Sequence, residues 1–150
     1  MARPDSNRPI VGVVVVTHEG AATCLCGAAE AILGKLEKLE AVSCGMDQTR
    51  EQLSARISEA CDRADSGVGV LILVDVHGST PFRAAMTMLD GVRPAEVLCG
   101  VNLPMLIKMS TVDRCGLTPS EIAEILRDIG RRSIRLGSEL TGRVFTGGPR

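Results

Sequence analysis

Ile10-Val-Gly-Val-Val-Val-Val16, followed at once by Thr17-His18-Glu19-Gly20, decides how this chain is read. The first seven residues are apolar and mostly β-branched, without polar alternation. The strand they predict must be covered on both faces, as in the middle of a parallel sheet. The next four turn abruptly polar and small, and the small-residue stretch from Gly20 to Leu33 predicts a helix that stops at Gly34. A buried strand running into a helix is half of a βαβ unit.

The same alternation continues downstream. Residues 39–43 predict a second, weaker strand. Thr49-Arg-Glu-Gln52 has the form of a capping box, and Leu53, Ile57 and Cys61 behind it give one apolar helical stripe. Val70-Leu-Ile-Leu-Val74 is a third strand apolar on both faces. In Gly78-Ser-Thr-Pro81, Thr80 is placed as a helix N-cap with Pro81 at the first helical position, and Phe82, Ala85, Met86 and Leu89 as the inward face. Residues 96–101 predict a fourth strand and 102–109 another helix. Thr118-Pro-Ser-Glu121 combines a capping box with a proline start, ahead of Ile122, Ile125, Leu126 and Ile129, with Gly130 as the stop. Four β-α pairs imply an α/β fold, an open parallel sheet of about four strands with helices on both faces. Ser133-Ile-Arg-Leu136 is compatible with a further short strand. One domain accounts for residues 1–150, with 1–9 and 138–150 as flexible tails.

Composition removes several classes of function. Hydrophobic residues make up 45% of the 150, enough for a core, yet there are two Phe and neither Tyr nor Trp. That scarcity argues against functions that rely on stacking, such as single-strand nucleic-acid binding, and no Tyr or Trp is available to flank a flavin ring. The net charge of −1 comes from interspersed acids and bases, with no basic stripe for nucleic acid. No apolar run reaches the length of a membrane span or signal peptide, and direct membrane insertion is not expected. The six cysteines contain no CxxC pair. They read as free thiols of a reducing, cytoplasmic compartment rather than metal ligands.

The chemistry is expected at the carboxyl ends of the strands, where ligands gather in an open α/β sheet. His18 closes the first strand and Asp75 the third. If these strands are neighbours, the two side chains meet. A carboxylate holding one ring N–H leaves the other imidazole nitrogen free as a nucleophile. A phosphoryl group on that nitrogen would find donors in the backbone of Gly78, Ser79 and Thr80 and in the Thr80 hydroxyl. Neither a metal nor a cofactor is required, and neither nucleotide-binding glycine motif is present. The residues alone leave bland alternatives open: a loop histidine, an aspartate satisfying a turn, and a threonine that merely caps a helix.

Val16-Thr17-His18, Ala29-Glu30-Ala-Ile-Leu-Gly34, the stretch from Leu73-Val-Asp75 through Gly78-Ser-Thr-Pro-Phe82, and Gly100-Val-Asn-Leu-Pro-Met-Leu106 occur together in one family's order and spacing. Over residues 10–136 the chain resembles the mannose-family enzyme IIA domain of the bacterial phosphoenolpyruvate-dependent sugar phosphotransferase system. The resemblance implies a protein-histidine phosphotransferase. The carrier protein HPr would phosphorylate His18, Asp75 would support the histidine, and Thr80 would lie near the phosphate. The group would pass to an enzyme IIB, expected as a separate partner because the chain is too short to include one. It also implies a homodimer with an exchanged antiparallel C-terminal edge strand, for which residues 133–136 stand at the corresponding place.

Four positions depart from the family pattern. Glu19 and Ser79 replace usual glycines, Arg83 a common asparagine, and His77 a bulky residue. Other readings are a phosphorylation-sensing regulatory module of the same system without transport, a phosphoryl donor to dihydroxyacetone kinase, a flavodoxin-like flavin binder, and a dimerising domain with a decayed site.

Overall fold

Strand β1 (Gly12–His18) is buried over its first six residues and emerges only at His18. The structure, a computed structural model, describes residues 8–142. In it β1 pairs in parallel with β2 (Leu39–Cys44) on one side and with β3 (Val70–Val74) on the other. β4 (Ala95–Cys99) adds in parallel beyond β3, giving the order β2-β1-β3-β4. The two strands with unbroken apolar sequence are thus the two inner ones, and every residue of β3 is buried. The edge strands are only partly covered, as their weaker patterns anticipate.

The helices are α1 (Ala21–Leu33), α2 (Arg50–Ala64), α3 (Thr80–Met86), α4 (Leu103–Lys108), α5 (Pro119–Arg132) and α6 (Gly137–Thr141). The period-two pleat divides the inner strands between two cores. Val13, Val15, Leu71 and Leu73 pack with α1, α4 and α5 through Ala22, Leu106, Ile122 and Leu126. Val14, Val16, Ile72 and Val74 pack on the opposite face with α2 and α3 through Leu53, Ile57 and Ala84. An α/β sheet covered on both faces is therefore present as read from the sequence. Among the described residues, no helix is long and apolar enough to cross a membrane.

Both capping boxes form, at Thr49 with Gln52 and at Thr118 with Glu121. Elsewhere the structure corrects the sequence reading. Ser79, not Thr80, caps α3: its hydroxyl accepts the Phe82 N–H at 3.3 Å, and Pro81 falls one position further in. Of the expected inward face of α3, Ala85 is buried and Phe82 packs partly buried against the core, joined by Pro81 and Ala84, while Met86 and Leu89 are exposed. The helix ends before its pattern could repeat, where the Thr87 hydroxyl donates to the Ala84 carbonyl at 2.7 Å. Gly130 does not stop α5, which runs on to Arg132. It is instead a packing glycine, since a Cβ there would meet Met105 Cε at 2.3 Å.

The short strand considered at residues 133–136 is absent within the chain. Ser133 caps α5 by donating to the Ile129 carbonyl, and residues 134–136 pair with no strand. A strand exchanged with a second copy would find its ladder only there. Beyond it α6 forms a single exposed turn closed by the Glu139 N–H on the Leu136 carbonyl, where a tail had been expected from residue 138. The remaining tail positions, 1–7 and 143–150, lie outside the described residues.

Candidate functional site

The connection leaving β1 goes to β2 on one side, and β3 takes the other, so the crevice between the carboxyl ends of β1 and β3 is the switch point of the sheet. His18 and Asp75 meet there. Thr17 is fully buried; its hydroxyl accepts the Ala22 N–H at 2.7 Å and donates to the His18 carbonyl at 3.0 Å. That one side chain ties the first turn of α1 to the histidine backbone. Glu19 takes a positive φ of 39°, and its N–H donates to the Cys44 carbonyl at 3.0 Å. A glycine would adopt this turn without strain.

Asp75 is the first residue beyond β3. Its Oδ2 accepts the backbone N–H of His18 at 2.9 Å and lies 2.8 Å from the ring Nδ1. Its Oδ1 accepts the Val76 N–H at 2.8 Å. Burial pushes the carboxyl up, but the His18 backbone, the His18 ring and the Val76 N–H outweigh it and hold Asp75 below the ordinary carboxylate range. An ionised Asp75 is acceptor-only, so the 2.8 Å contact assigns a proton to Nδ1, and in the neutral tautomer that fits this contact the lone pair lies on Nε2. Nε2 has no hydrogen-bond partner among the described residues, and half of the His18 side chain is exposed. Nε2 is thus the uncommitted nitrogen of a half-exposed side chain.

Gly78, Ser79 and Thr80 lie in the turn that follows. Gly78 has φ 78°, and the Ser79 hydroxyl donates to the Val76 carbonyl at 2.6 Å while capping α3. Ser79 can offer its hydroxyl to a ligand only by giving up that bond. Thr80 is exposed, with its hydroxyl uncommitted among the described residues. The ring of His77 rests on Phe82, centroids 4.9 Å apart, so it is an exposed packing residue. Arg83 is exposed and makes no ion pair among the described residues. Glu19 lines an open groove with Met46, Gln48 and Arg56 beside the end of β2.

All six cysteines are free. Burial pushes the thiols of Cys26 and Cys61 up to about 11, and burial with the Glu19 charge raises Cys44, the register partner of His18. Thiols held protonated are poor nucleophiles. Among the described residues no group of three His, Cys, Asp or Glu side chains could hold a metal. The roles of Thr17 and Ser79 escaped the sequence reading; a threonine just before the histidine, five residues ahead of the Ala22 N–H, was the available clue.

Comparison with known proteins agrees with this architecture. The EIIA-man family model, described as PTS system fructose IIA component, matches residues 12–126. The PTS system mannose-specific EIIAB component of Escherichia coli K12 is 29% identical over 125 residues, covering 83% of this chain and 39% of that protein. The chain thus spans about two fifths of that relative. A second Escherichia coli K12 protein, YadI, described as a candidate phosphotransferase enzyme IIA component, is 31% identical over 121 residues, covering 81% of this chain and 82% of its own. Among solved structures, the mannose/sorbose specific IIA subunit of the phosphotransferase system from Enterococcus faecalis superimposes with a TM-score of 0.74 at 25% identity, covering 85% of this chain and 94% of its own.

Proposed function

The chain belongs to the EIIA-man family of phosphotransferase-system IIA components, and we propose that it is a phosphoryl carrier whose acceptor atom is Nε2 of His18. The observation that carries this reading is the 2.8 Å contact between Nδ1 and an Asp75 carboxylate, which leaves Nε2 without a partner among the described residues on a half-exposed side chain. The Nε2 lone pair attacks phosphorus, the N–P bond forms, and the bond to the donor breaks with its electron pair leaving on the donor. The ring becomes cationic as it bonds, and Asp75 stabilises that charge through the Nδ1–H. The phosphoryl oxygens then take hydrogen bonds from the backbone of Gly78 and Thr80 and from the Thr80 hydroxyl. Ser79 contributes chiefly by holding this turn.

In the same reading HPr is the donor and an enzyme IIB the acceptor, the chain works in the cytoplasm, and it functions as a homodimer. The half-exposed His18 side chain supports it, because transfer between two proteins requires a nitrogen that both can reach in turn. Incubation with labelled phosphoenolpyruvate, enzyme I and HPr tests it. The label should enter the chain and be lost in acid but not in base, as expected of a phosphoramidate. An acid-stable adduct would place the phosphoryl on a hydroxyl, and one lost in base as well as in acid would place it on a carboxylate; either would overturn the reading.

A further inference from the structure

Glu19 follows the acceptor histidine directly, and among the described residues it is one of two residues other than glycine with a positive φ. Its φ of 39° lies in a region that costs any residue with a Cβ, and backbone strain of this kind gathers at functional sites. The Glu19 side chain is exposed, and among the described residues it neither accepts a hydrogen bond nor forms an ion pair. The turn is held instead by the Glu19 N–H on the Cys44 carbonyl. The carboxylate therefore has no structural task in the single chain.

Its placement decides what the charge can do. β1 lies between β2 and β3, and Asp75 holds the His18 ring from the β3 side. Glu19 lies toward the other side, in the groove it lines with Ser43, Gly45 and Met46 at the end of β2. Cys44, the register partner of His18, lies within reach of both acids. Burial raises its thiol first, the charges of Glu19 and Asp75 add to the rise, and Arg56 opposes it. Arg56 lines the same groove without neutralising Glu19. Its Nη1 is committed to the Ser43 carbonyl at 2.7 Å and the Gln48 side-chain oxygen at 2.9 Å, and it forms no ion pair among the described residues.

The two acids act oppositely once a phosphoryl group arrives. Asp75 faces the Nδ1–H and stabilises the cationic ring. Glu19 has no donor to offer a group that carries nearly two negative charges. We propose that Glu19 raises the transfer potential of phosphorylated His18, destabilising the N–P adduct by like-charge repulsion and so favouring passage of the group to the next acceptor. The proposal rests on the phosphocarrier reading of His18. On passage the N–P bond breaks, its electron pair returns to Nε2, and phosphorus bonds to the nucleophilic side chain of the acceptor protein. The repulsion disappears as the group departs.

The equilibrium constant for phosphoryl exchange between phosphorylated HPr and the full chain tests this, read by intact-mass spectrometry on wild type, Glu19→Gln and Glu19→Asp. An equilibrium constant is indifferent to how well donor and chain dock, so it reports the stability of the adduct itself. Two such charges about 10 Å apart in water repel enough to shift it about threefold at low ionic strength. Glu19→Gln should therefore favour the phosphorylated chain about threefold over wild type, and the difference should shrink as salt is added. Glu19→Asp keeps the charge and should stay nearer to wild type than Glu19→Gln does. Equal constants for wild type and Glu19→Gln, or a shift that salt leaves unchanged or that Glu19→Asp shares in full, would overturn the proposal alone. Wild type that accepts no phosphoryl group would overturn the phosphocarrier reading, and the proposal with it.

Discussion

At the residue scale, Oδ2 of Asp75 carries two contacts, one from the His18 backbone and one from its ring. In Asp75→Asn the amide oxygen, set where Oδ2 stands, can still accept both His18 N–H groups, while the amide nitrogen takes the place of Oδ1 and loses only the Val76 contact, so the turn survives. The negative charge that would stabilise the ring as it becomes cationic is gone. The account expects phosphoryl transfer to fall by about a hundredfold or more, with the circular dichroism spectrum unchanged. A stability signature accompanies it. Asp75 is held below its ordinary range in the native state, so its contribution is fully present above the unfolded carboxylate value of about 4 and is lost as pH falls through the lower native value. Urea midpoints of wild type and Asp75→Asn should differ at pH 7 by the equivalent of about 1 kcal/mol. They should converge in acid; a gap that widens there would contradict the assignment of Asp75 as the ionised partner. The pairing itself was legible in the sequence, because both residues stand at the ends of unbroken apolar strands and sheet topology does the rest. The buried Arg114, whose Nε donates to the Val11 carbonyl at 2.9 Å, was not legible: nothing in a loop of mixed charges announces that one cation folds inward to hold Val11.

At the scale of elements, unbroken β-branched runs and hydroxyl-to-acid spacings carried the sequence reading, and it failed where two rules competed. Ser79 and Thr80 both precede Pro81, and sequence alone cannot choose between adjacent hydroxyls. The tight turn chooses Ser79, whose hydroxyl reaches both the Val76 carbonyl and the Phe82 N–H. Gly130 misled in the same way, since a glycine late in a helix can be a stop or a contact. Two glycines separate rigid from yielding neighbours. A Cβ on Gly12 would lie 2.5 Å from the Ala64 carbonyl oxygen, backbone at the end of α2 that cannot retreat. A Cβ on Gly130 meets the flexible tip of Met105, and alanine favours the helix by about 1 kcal/mol. Chemical denaturation should find Gly12→Ala destabilised by about 2 kcal/mol or more and Gly130→Ala within about 1 kcal/mol of wild type. Equal losses would show that β1 and α2 are less closely fitted than described.

At the scale of the whole molecule, the inner strands present His18 and Asp75 together at the carboxyl edge of the sheet, and the outer strands are left partly open. Ile134, Leu136 and Leu140 are exposed beyond the capped end of α5, and among the described residues β4 pairs on one side only. The proposed homodimer would cover such surface by exchange of this segment, which the sequence resemblance implies and a single chain cannot display. Sedimentation should find a dimer for the unaltered chain and a monomer for the Ile134→Asp, Leu136→Asp double variant. A dimer that survives both charges would place the interface elsewhere.

The central claim is that His18, and no other residue, receives the phosphoryl group. Intact-mass spectrometry after incubation with phosphoenolpyruvate, enzyme I and HPr from the source cell tests it most directly, comparing wild type with His18→Ala. The account predicts one added phosphoryl group on wild type and none on the variant. Equal phosphorylation of both, or none on folded wild type with HPr active on another substrate, would contradict it.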